Sequence, residues 1–291
     1  MFVMIEKNVP IQRFREIQDR LQMYHNIVFH QPKGLCPLYY PISHDFFSLI
    51  LFESAEGKHI IDGKEYIIQG TQLHMVYPGQ VHHWDYQSDH GIYQLFISGD
   101  IFERLGGLMQ LPVFIYKKRP VIDMERSVFH RLVHEFKYIR DELITPSPVM
   151  SEIIYSKMKI IAREIFNEIQ KNEEYSKVYE NHPILFDFML LLNKNFSQER
   201  SKKYYAEQLR INSNYLNILC KKYLGRTASE IIEGQTMEKL KYKLMVDQEP
   251  LKDLAFDFNF NNYGHFSGFI KKHTGLTPKR FRSLYGVRVV K

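Results

Sequence analysis

Hydrophobic residues between Phe46 and Ile97 occur in short runs, and turn signals separate the runs. The runs lie at positions 47–52, 59–61, 66–68, 73–77 and 92–97, with glycine-containing turn signals between them at 56–57, 62–63, 70 and 78–79. The pair Asp62-Gly63 is the strongest of these hairpin signals. Short, evenly spaced strands of this kind predict an antiparallel barrel or sandwich, and small barrels often enclose a ligand.

The pattern changes to helical periodicity in the next segment. Apolar residues recur every three or four positions in 124–140 and again in 149–169, which predicts two amphipathic helices. The isoleucine-rich stripe of the second helix presents more apolar surface than a single neighbouring helix is expected to bury. We therefore expect a dimer interface there, with packing wholly inside one protomer as the alternative. Polar residues 171–177 are predicted to form an interdomain linker.

An internal repeat dominates the last third of the chain. Residues 206–225 and 255–275 each contain a short helical segment, a polar break and a second helical segment that ends in Lys-Lys-x-x-Gly. The breaks are rich in Asn and Ser, which favour helix N-termini, and the closing glycine fits a helix C-terminus. This pattern predicts a helix-turn-helix unit written twice.

Composition narrows the class of protein. The 291 residues suggest two domains, and 44% hydrophobic with 25% charged residues is typical of a soluble globular chain. No stretch reaches the ~18 apolar residues of a spanning helix, so we expect no membrane segment. The N-terminus resembles no secretory signal, and two distant cysteines, Cys36 and Cys220, form no disulfide framework. These features predict a cytoplasmic protein.

Charge is distributed unevenly. Residues 1–175 carry a net charge of −3 and residues 176–291 a net charge of +9, within a total of +6. A basic C-terminal part favours a polyanionic partner, and nucleic acid is the commonest one. A lone Lys-Lys pair is usually a solvated helix face, but two pairs at matched positions in a basic segment favour DNA.

The second repeat also carries a specific motif. Its segment from Leu251 to Arg282, closing on Phe266, Phe269, Lys271, Gly275, Thr277, Pro278 and Arg282, resembles the second helix-turn-helix of the AraC/XylS family of transcription regulators. The segment 57–63, Gly70 and residues 77–82 (Tyr-Pro-Gly-Gln-Val-His) resemble the cupin-type sensor barrel of many members. The fold class expected is therefore α+β and multidomain, with an N-terminal cupin-like antiparallel β-barrel, then helices, then an all-α domain with two helix-turn-helix units.

The resemblance implies that the barrel senses a small molecule and that a long helix, expected within 237–246, joins two DNA-reading units. Several positions depart from the family pattern. Ile218 and Gly268 stand where members often carry Arg, and Ile270 replaces the preferred Phe. Asn259 replaces the usual turn glycine, although Asn tolerates a positive φ. Ile218 remains able to contact a thymine methyl group, whereas Gly268 has no side chain for a base.

The chain shows weak candidates for catalysis and metal binding. Five histidines, His59, His74, His82, His83 and His90, cluster in the barrel segment, but they lack the His-x-His spacing of metal-binding cupins. Neither cysteine has a neighbouring base, and no glycine-rich phosphate loop is present. We expect no catalytic residue, no metal and no cofactor.

The predicted site residues fall into three groups. Base-reading residues are expected at the start of each second helix of the repeat: Asn212, Asn214, Asn217, Ile218, Asn262, Tyr263, His265 and Ser267. Phosphate or neighbouring carboxylates are expected to bind Lys221, Lys222, Lys271, Lys272 and Arg282. The expected ligand pocket is lined by His82, Trp84, Tyr86 and Tyr93.

The sequence thus favours three domains: a sensing barrel (1–120), a helical dimerisation segment with linker (121–175) and a DNA-binding domain (176–291). The predicted function is a sequence-specific transcription regulator, which binds double-stranded promoter DNA as a homodimer under the control of a small-molecule effector. RNA polymerase is a further partner that this interpretation leaves open. Two alternatives stand beside it: a metal-dependent cupin enzyme fused to a DNA-binding domain, and a ligand-independent regulator whose barrel only dimerises.

Overall fold

A computed structural model of the protein describes residues 9–23, 25–32, 38–87, 91–99, 101–102, 113–171, 182–246 and 249–285. The chain divides into two compact units. The first, called here the sheet unit, comprises Met1–Met109 and Ile115–Gln170, and the second, the helical unit, comprises Gln110–Phe114 and Lys171–Lys291. Cys36, His90 and most of the predicted linker lie outside the described residues.

Two five-stranded sheets form the body of the sheet unit. Their strands are β1 (Ile11–Gln12), β2 (Ile27–His30), β3 (Leu38–His44), β4 (Phe47–Phe52), β5 (Glu56–Ile61), β6 (Lys64–Ile68), β7 (Gln72–Val76), β8 (Val81–Gln87), β9 (Ile92–Ile97) and β10 (Val121–Asp123). One sheet has the order β1-β3-β8-β5-β6 and the other β10-β7-β4-β9-β2. Neighbouring strands run antiparallel, except for β1 beside β3. The arrangement is consistent with the expected cupin-like fold.

The helices of the sheet unit are α1 (Phe14–Leu21), α2 (Val113–Lys118), α3 (Arg126–Ile144) and α4 (Met150–Gln170). The division between the units falls within α2, whose residues 113–114 are assigned to the helical unit and whose residues 115–118 are assigned to the sheet unit. The helices of the helical unit are α5 (Pro183–Asn195), α6 (Lys202–Gln208), α7 (Ser213–Leu224), α8 (Ala228–Val246), α9 (Leu251–Asp257), α10 (Tyr263–Thr274) and α11 (Pro278–Tyr285).

The β5–β6 hairpin confirms the strongest turn signal in the sequence. Asp62 and Gly63 both have positive φ, 49° and 77°, as the predicted two-residue turn requires. The turn predicted at Glu56-Gly57 is wrong, because both residues lie in β5 and pair with β8. Gly57 marks a close approach of two backbones instead, since a Cβ there would clash with the carbonyl oxygen of Asp85.

Helices α3 and α4 appear where the periodicity predicted them. The isoleucine-rich stripe of α4 is buried within this chain, with Ile161, Ile165 and Ile169 each at most 2% exposed. The chain's own packing therefore covers most of this stripe, and the dimer interface expected there stays a prediction. The apolar residues of α4 that remain exposed are Tyr155 and Ile160.

The helical unit contains both predicted helix-turn-helix units, α6–α7 and α9–α10. The helix that joins them, α8, begins at Ala228, nine residues before the predicted start. Apolar residues of α8, α9, α10 and α11 form one core cluster, which includes Leu240, Leu254, Phe266 and Phe281. Across the described part of the chain, each helix is too short or too polar to span a membrane.

Candidate nucleic-acid interface and sheet interior

The two helix-turn-helix units repeat each other down to single backbone hydrogen bonds. In the first turn Ile211 N–H donates to Ala206 O at 2.9 Å, and in the second Phe260 N–H donates to Ala255 O at 2.9 Å. The left-handed residue of each turn, Arg210 or Asn259, has φ near +50°. Asn259 therefore replaces the usual glycine without loss of the turn, as expected from the tolerance of Asn for positive φ.

Helices α7 and α10 begin and end alike. The side chain of Asn212 accepts a hydrogen bond from Asn214 N–H at 2.7 Å, and that of Asn262 accepts one from His265 N–H at 2.9 Å. Each helix ends at a left-handed glycine, Gly225 or Gly275, as the sequence predicted. Because an N-cap side chain orders the first turn, both helices hold their polar N-terminal residues in a defined geometry.

Burial divides each of these helices into an inner and an outer face. The inner faces are anchored by Leu216, Leu219 and Cys220 in α7 and by Phe266 and Ile270 in α10. Predicted base-reading and phosphate-binding residues lie on the exposed outer faces: Asn214, Ile218, Lys221, Lys222, Tyr263, His265, Lys271 and Lys272. Ser267 is half-buried. The major groove accepts an α-helix, so these faces have the shape that groove binding needs.

Asn217 and Arg282, two of the predicted DNA contacts, bind backbone groups of distant segments. Asn217 is half-buried, and its Oδ1 accepts a hydrogen bond from Ala228 N–H at 2.9 Å, which caps α8. Half-buried Arg282 donates from Nη1 to the backbone carbonyl of Glu249 at 2.6 Å. Both residues therefore have structural roles.

The Lys-Lys pairs of α7 and α10 differ in their contacts. Lys272 Nζ lies 2.7 Å from Glu233 Oε2 on α8, and the same carboxylate oxygen lies 3.2 Å from His273 Nε2. Burial lowers the pKa of His273, although the Glu233 carboxylate opposes that shift. Lys222 lies over the ring of Tyr223. The prediction that these lysines meet phosphate or carboxylate thus finds a carboxylate for Lys272.

The outer faces also differ at matched positions. Asn214 and Ile218 of α7 correspond to Gly264 and Gly268 of α10 at an offset of 50 residues. Ile218 is 62% exposed, whereas Gly268 presents bare backbone, with no atom within 4 Å of a Cβ built there. Helix α7 therefore offers more side-chain groups to base edges than α10.

A chain of hydrogen-bonded histidines fills the space between the two sheets. His59 Nδ1 lies 2.8 Å from His74 Nδ1, and His59 Nε2 lies 3.1 Å from His82 Nδ1. Gln72 Oε1 lies 3.1 Å from His74 Nε2, and its amide is oriented by a 2.7 Å bond from Nε2 to Asp123 Oδ1. The sequence placed these three histidines in one segment, and the alternation of each strand brings them to one interior.

Gln72 fixes the tautomer of each histidine in this chain. Because Gln72 Oε1 only accepts, His74 Nε2 is the donor and neutral His74 accepts at Nδ1. His59 then donates from Nδ1 and accepts at Nε2 from His82 Nδ1–H, so His82 Nε2 carries a bare lone pair. That nitrogen is buried without a hydrogen-bond partner among the described residues.

His44, which sequence analysis missed, is the fourth buried histidine. Its Nδ1 donates to Phe46 O at 2.7 Å, its ring meets His82 edge to face, and its buried Nε2 also has no partner among the described residues. Burial lowers the pKa of His44 to about 4 and that of His74 to about 3. The pKa values of His59 and His82 lie well below the ordinary value, first because of burial and then because of the neighbouring histidines.

These histidines do not form a metal centre as they stand. His59 uses one ring nitrogen toward His74 and the other toward His82, whereas a metal ion needs one nitrogen of each ring directed at one point. In the described ranges no group of three His, Cys, Asp or Glu side chains has a geometry suited to a metal ion. The cupin-type metal site is therefore not supported by these residues.

The four predicted pocket residues do not share one face. His82, Trp84 and Tyr86 alternate along β8 and face the interior, where Tyr86 packs with Ile50 and Phe52 of the other sheet. Tyr93 pairs with Leu51 on the opposite face of its sheet, and the ammonium of Lys137 on α3 lies 5.2 Å from its ring centre.

The buried thiol of Cys220 in α7 has its pKa raised to about 12 by burial, which leaves the thiol unsuited to nucleophilic attack.

Comparison with known proteins agrees with this geometry. A family model described as a helix-turn-helix domain matches residues 205–283. The HTH-type transcriptional activator RhaS of Citrobacter koseri is 22% identical over 245 residues, covering 82% of this chain and 86% of RhaS. RhaS of Escherichia coli strain SE11 is 23% identical with the same coverage.

Solved structures with some similarity span one or both units. The alignment with ToxT from Vibrio cholerae O395 covers 89% of this chain and 97% of the ToxT chain, at 14% identity and a TM-score of 0.41. The C-terminal domain of AraT, a response regulator from Geobacillus stearothermophilus, covers 38% of this chain and 91% of its own, at 24% identity and a TM-score of 0.35.

Proposed function

We propose that this chain, a DNA-binding transcription regulator of the AraC family, inserts α7 and α10 into adjacent major grooves and is controlled by a small molecule bound in the sheet unit. The single observation that carries the DNA part is the doubled helix-turn-helix, whose two recognition helices carry exposed polar outer faces in a basic segment. Base edges are distinguishable in the major groove, where such helices bind.

Helix α7 is proposed to supply most of the sequence preference. Asn214 is exposed at its first turn, suited to a bidentate contact with adenine, and Ile218 is placed for a thymine methyl group. The N-cap residue Asn212 and the α8-capping residue Asn217 keep their amide NH2 groups for a secondary contact. On α10 the proposed contacts are Asn262, Tyr263, His265 and Ser267.

Phosphate contacts are assigned to the exposed lysines. Lys221, Lys222 and Lys271 are the proposed contacts, because Lys272 is held by Glu233 and Arg282 by a backbone carbonyl. Contacts of this kind release counterions from DNA, so affinity falls as salt rises.

The sheet unit is proposed to bind the effector beside His82, Trp84 and Tyr86. The bare Nε2 atoms of His82 and His44 are hydrogen-bond acceptors, so an effector that binds them must bring a donor such as a hydroxyl or ammonium group. Such a ligand controls DNA binding only through different affinities for two states of the protein. The proposal assigns no catalytic step and no cofactor to the chain.

Homodimerisation is proposed through the outer face of α4, where Tyr155 and Ile160 are exposed. The proposal keeps the three domains 1–120, 121–175 and 176–291 as functional segments, places the protein in the cytoplasm and includes RNA polymerase as a partner. Light scattering at micromolar concentration tests the dimer: a monomer with and without DNA contradicts it.

The experiment for DNA binding starts with selection of genomic fragments by the full chain. Affinity for a selected duplex is then measured for wild type, Ile218→Ser and Lys271→Ala, with Lys118→Ala at an exposed position of α2 as the control for loss of positive charge. We expect Ile218→Ser to weaken only duplexes with a thymine at its contact position, and Lys271→Ala to weaken all duplexes alike. Equal affinity of all four proteins contradicts the proposed interface.

The effector part has a separate experiment. A metabolite library is screened by thermal shift, because a ligand of the native state alone raises its stability. A compound found this way should lose affinity in His82→Ala and Trp84→Ala, while DNA binding by these variants persists. A library without any stabilising compound favours the ligand-independent regulator instead.

A further inference from the structure

The segment between α5 and α6, residues 196–200, contacts both helix-turn-helix units. Toward the first unit, the fully buried Tyr205 of α6 donates from its hydroxyl to Glu199 O at 2.7 Å. Toward the second, Phe196 packs against the core cluster that contains Leu254 and Phe266. A segment with partners on both sides is a physical bridge between the two units, and it is named the 196–200 bridge below.

Three side-chain hydrogen bonds join the bridge to the end of α9 and the turn that follows it. Arg200 donates from Nη2 to Asn259 O at 2.7 Å, and its guanidinium carbon lies 3.6 Å from the centre of the Phe260 ring. Asn259 donates from Nδ2 to Gln198 O at 2.9 Å, and Gln198 donates from Nε2 to Asp257 O at 3.1 Å. The bridge therefore donates side-chain hydrogen bonds to the backbone near the turn, and the turn donates one to the backbone of the bridge.

Arg200 is not available as an ordinary phosphate contact. It is half-buried, and burial lowers its pKa. A guanidinium that stacks on an aromatic ring while donating to a carbonyl has a fixed plane, because its donors form a rigid fork. The cation therefore serves the contact between the bridge and the turn.

The joining helix α8 forms a second connection between the two helix-turn-helix units. Phe196 packs against the core cluster that includes Leu240 of α8, and its carbonyl oxygen lies 3.3 Å from Thr236 Oγ1, whose hydroxyl donates to Ile232 O at 2.9 Å. The bridge and α8 are therefore in contact. A single helix permits bending and twisting of what it joins, whereas two connections at different points resist both. The bridge and α8 together therefore restrict the movement of α7 relative to α10.

We propose that the 196–200 bridge fixes the distance and angle between α7 and α10, and so sets the half-site spacing that the protein accepts. Arg200 and Asn259 are the positioning residues of this device. The inference rests on the proposed function, in which both helices contact DNA. Half-site spacing is a geometric property of the reader, and a rigid frame makes the protein intolerant of other spacings.

The chain offers a matched pair of variants. Asn259→Gly removes the amide that binds Gln198 O, yet keeps a residue suited to the left-handed turn. Arg210→Gly makes the same kind of change at the equivalent position of the first turn, which lies outside the bridge contacts. Arg200→Ala removes the other half of the contact, and Arg200→Lys retains the charge without the planar fork.

The first measurement uses the full chain and a duplex selected from a random-sequence library by the wild-type protein. One base pair is inserted or deleted between the two half-sites. We expect wild type and Arg210→Gly to lose about tenfold in affinity for either altered duplex, or about 1.4 kcal/mol. Asn259→Gly and the combined Asn259→Gly, Arg200→Ala variant should lose less than about threefold on the same scale, and Arg200→Lys should not restore the full penalty.

The second measurement needs no DNA. Spin labels are attached at Tyr215→Cys on α7 and His265→Cys on α10 in a Cys36→Ser background, with Cys220 buried. Pulsed electron resonance should give a narrow distance distribution for wild type and a broader one for the combined variant. If wild type binds no selected duplex, the proposed function fails while the labels still test the bridge. Equal spacing penalties, or equally narrow distributions, in wild type and the combined variant overturn the inference.

Discussion

Arg210 and Asn259 occupy the same left-handed backbone position in the two helix-turn-helix turns, with φ of 55° and 51°. Asn adopts this conformation readily because its short polar side chain bonds locally, whereas Arg has no such compensation. In this structure the Asn259 amide donates to Gln198 O, a contact without a counterpart at Arg210 in the part of the chain that the structure describes. The two turns are equal in shape and unequal in conformational strain.

We therefore expect Arg210→Gly to stabilise the helical unit. Relief of the left-handed strain should exceed the added flexibility of the unfolded chain, with a net gain of about 0.5–1 kcal/mol in the free energy of unfolding. Urea denaturation followed by circular dichroism of the full chain measures this gain. Arg210→Ala is the control and should show no gain, and a less stable Arg210→Gly variant contradicts the argument.

Asn214→Ala is predicted to act mainly on recognition, and Asn217→Ala mainly on stability. Asn214→Ala should cost ~1–3 kcal/mol in affinity for a selected duplex and relax preference at one base pair. Its unfolding free energy should change little, since the side chain is exposed. Asn217→Ala should instead lower the unfolding free energy by about 1 kcal/mol, because it leaves Ala228 N–H without its cap. Denaturation and fluorescence anisotropy on the same two variants check this; reversed effects contradict the assignment.

Removal of the Glu233 carboxylate should tighten DNA binding. Glu233→Gln releases Lys272 for a phosphate, so affinity should rise for all duplexes by about 0.5 kcal/mol and the salt dependence should steepen by up to about one counterion. Glu238→Gln, on the same helix, changes the net charge equally and releases Lys241 instead of Lys272, and serves as the control. An equal gain from both variants would assign the effect to net charge alone.

The histidine chain predicts acid sensitivity of the sheet unit. His44 and His74 have pKa values lowered to about 4 and about 3, and those of His59 and His82 also lie well below the ordinary value. Below about pH 6.5 the unfolded chain takes up protons that the folded interior refuses, so stability falls with pH until about pH 4. Each such histidine adds a slope of about 1.4 kcal/mol per pH unit in this window.

Trp84 is the only tryptophan in the sequence and lies against His59 and His82, so its fluorescence reports unfolding of this interior. Urea titrations between pH 7.5 and pH 4 measure the slope. His59→Gln should reduce it. A pH-independent midpoint for wild type would show that the interior accepts protons freely.

Most of the helical unit could be predicted from sequence, because the repeat, the Asn N-caps and the terminal glycines are local signals. Asp62-Gly63 predicted its hairpin for the same reason. Gly57 misled the prediction, since a glycine that allows close approach of two strands looks like a turn until its partner strand is known. The partners of Asn217 and Arg282, and the opposite facing of Tyr93, depend on contacts between distant segments that periodicity does not contain.

One protomer is proposed to insert two recognition helices, α7 and α10, into adjacent major grooves. A methylation-protection footprint of the full chain on a selected genomic duplex tests it most directly, because methylation of guanine N7 reports the major groove. We expect each bound protomer to give two protected patches on one face of the duplex, about one helical turn or 10 base pairs apart, with the Asn214→Ala variant losing protection in only one patch of each pair. A single patch that Asn214→Ala leaves intact, or protection confined to the minor groove, would contradict the account.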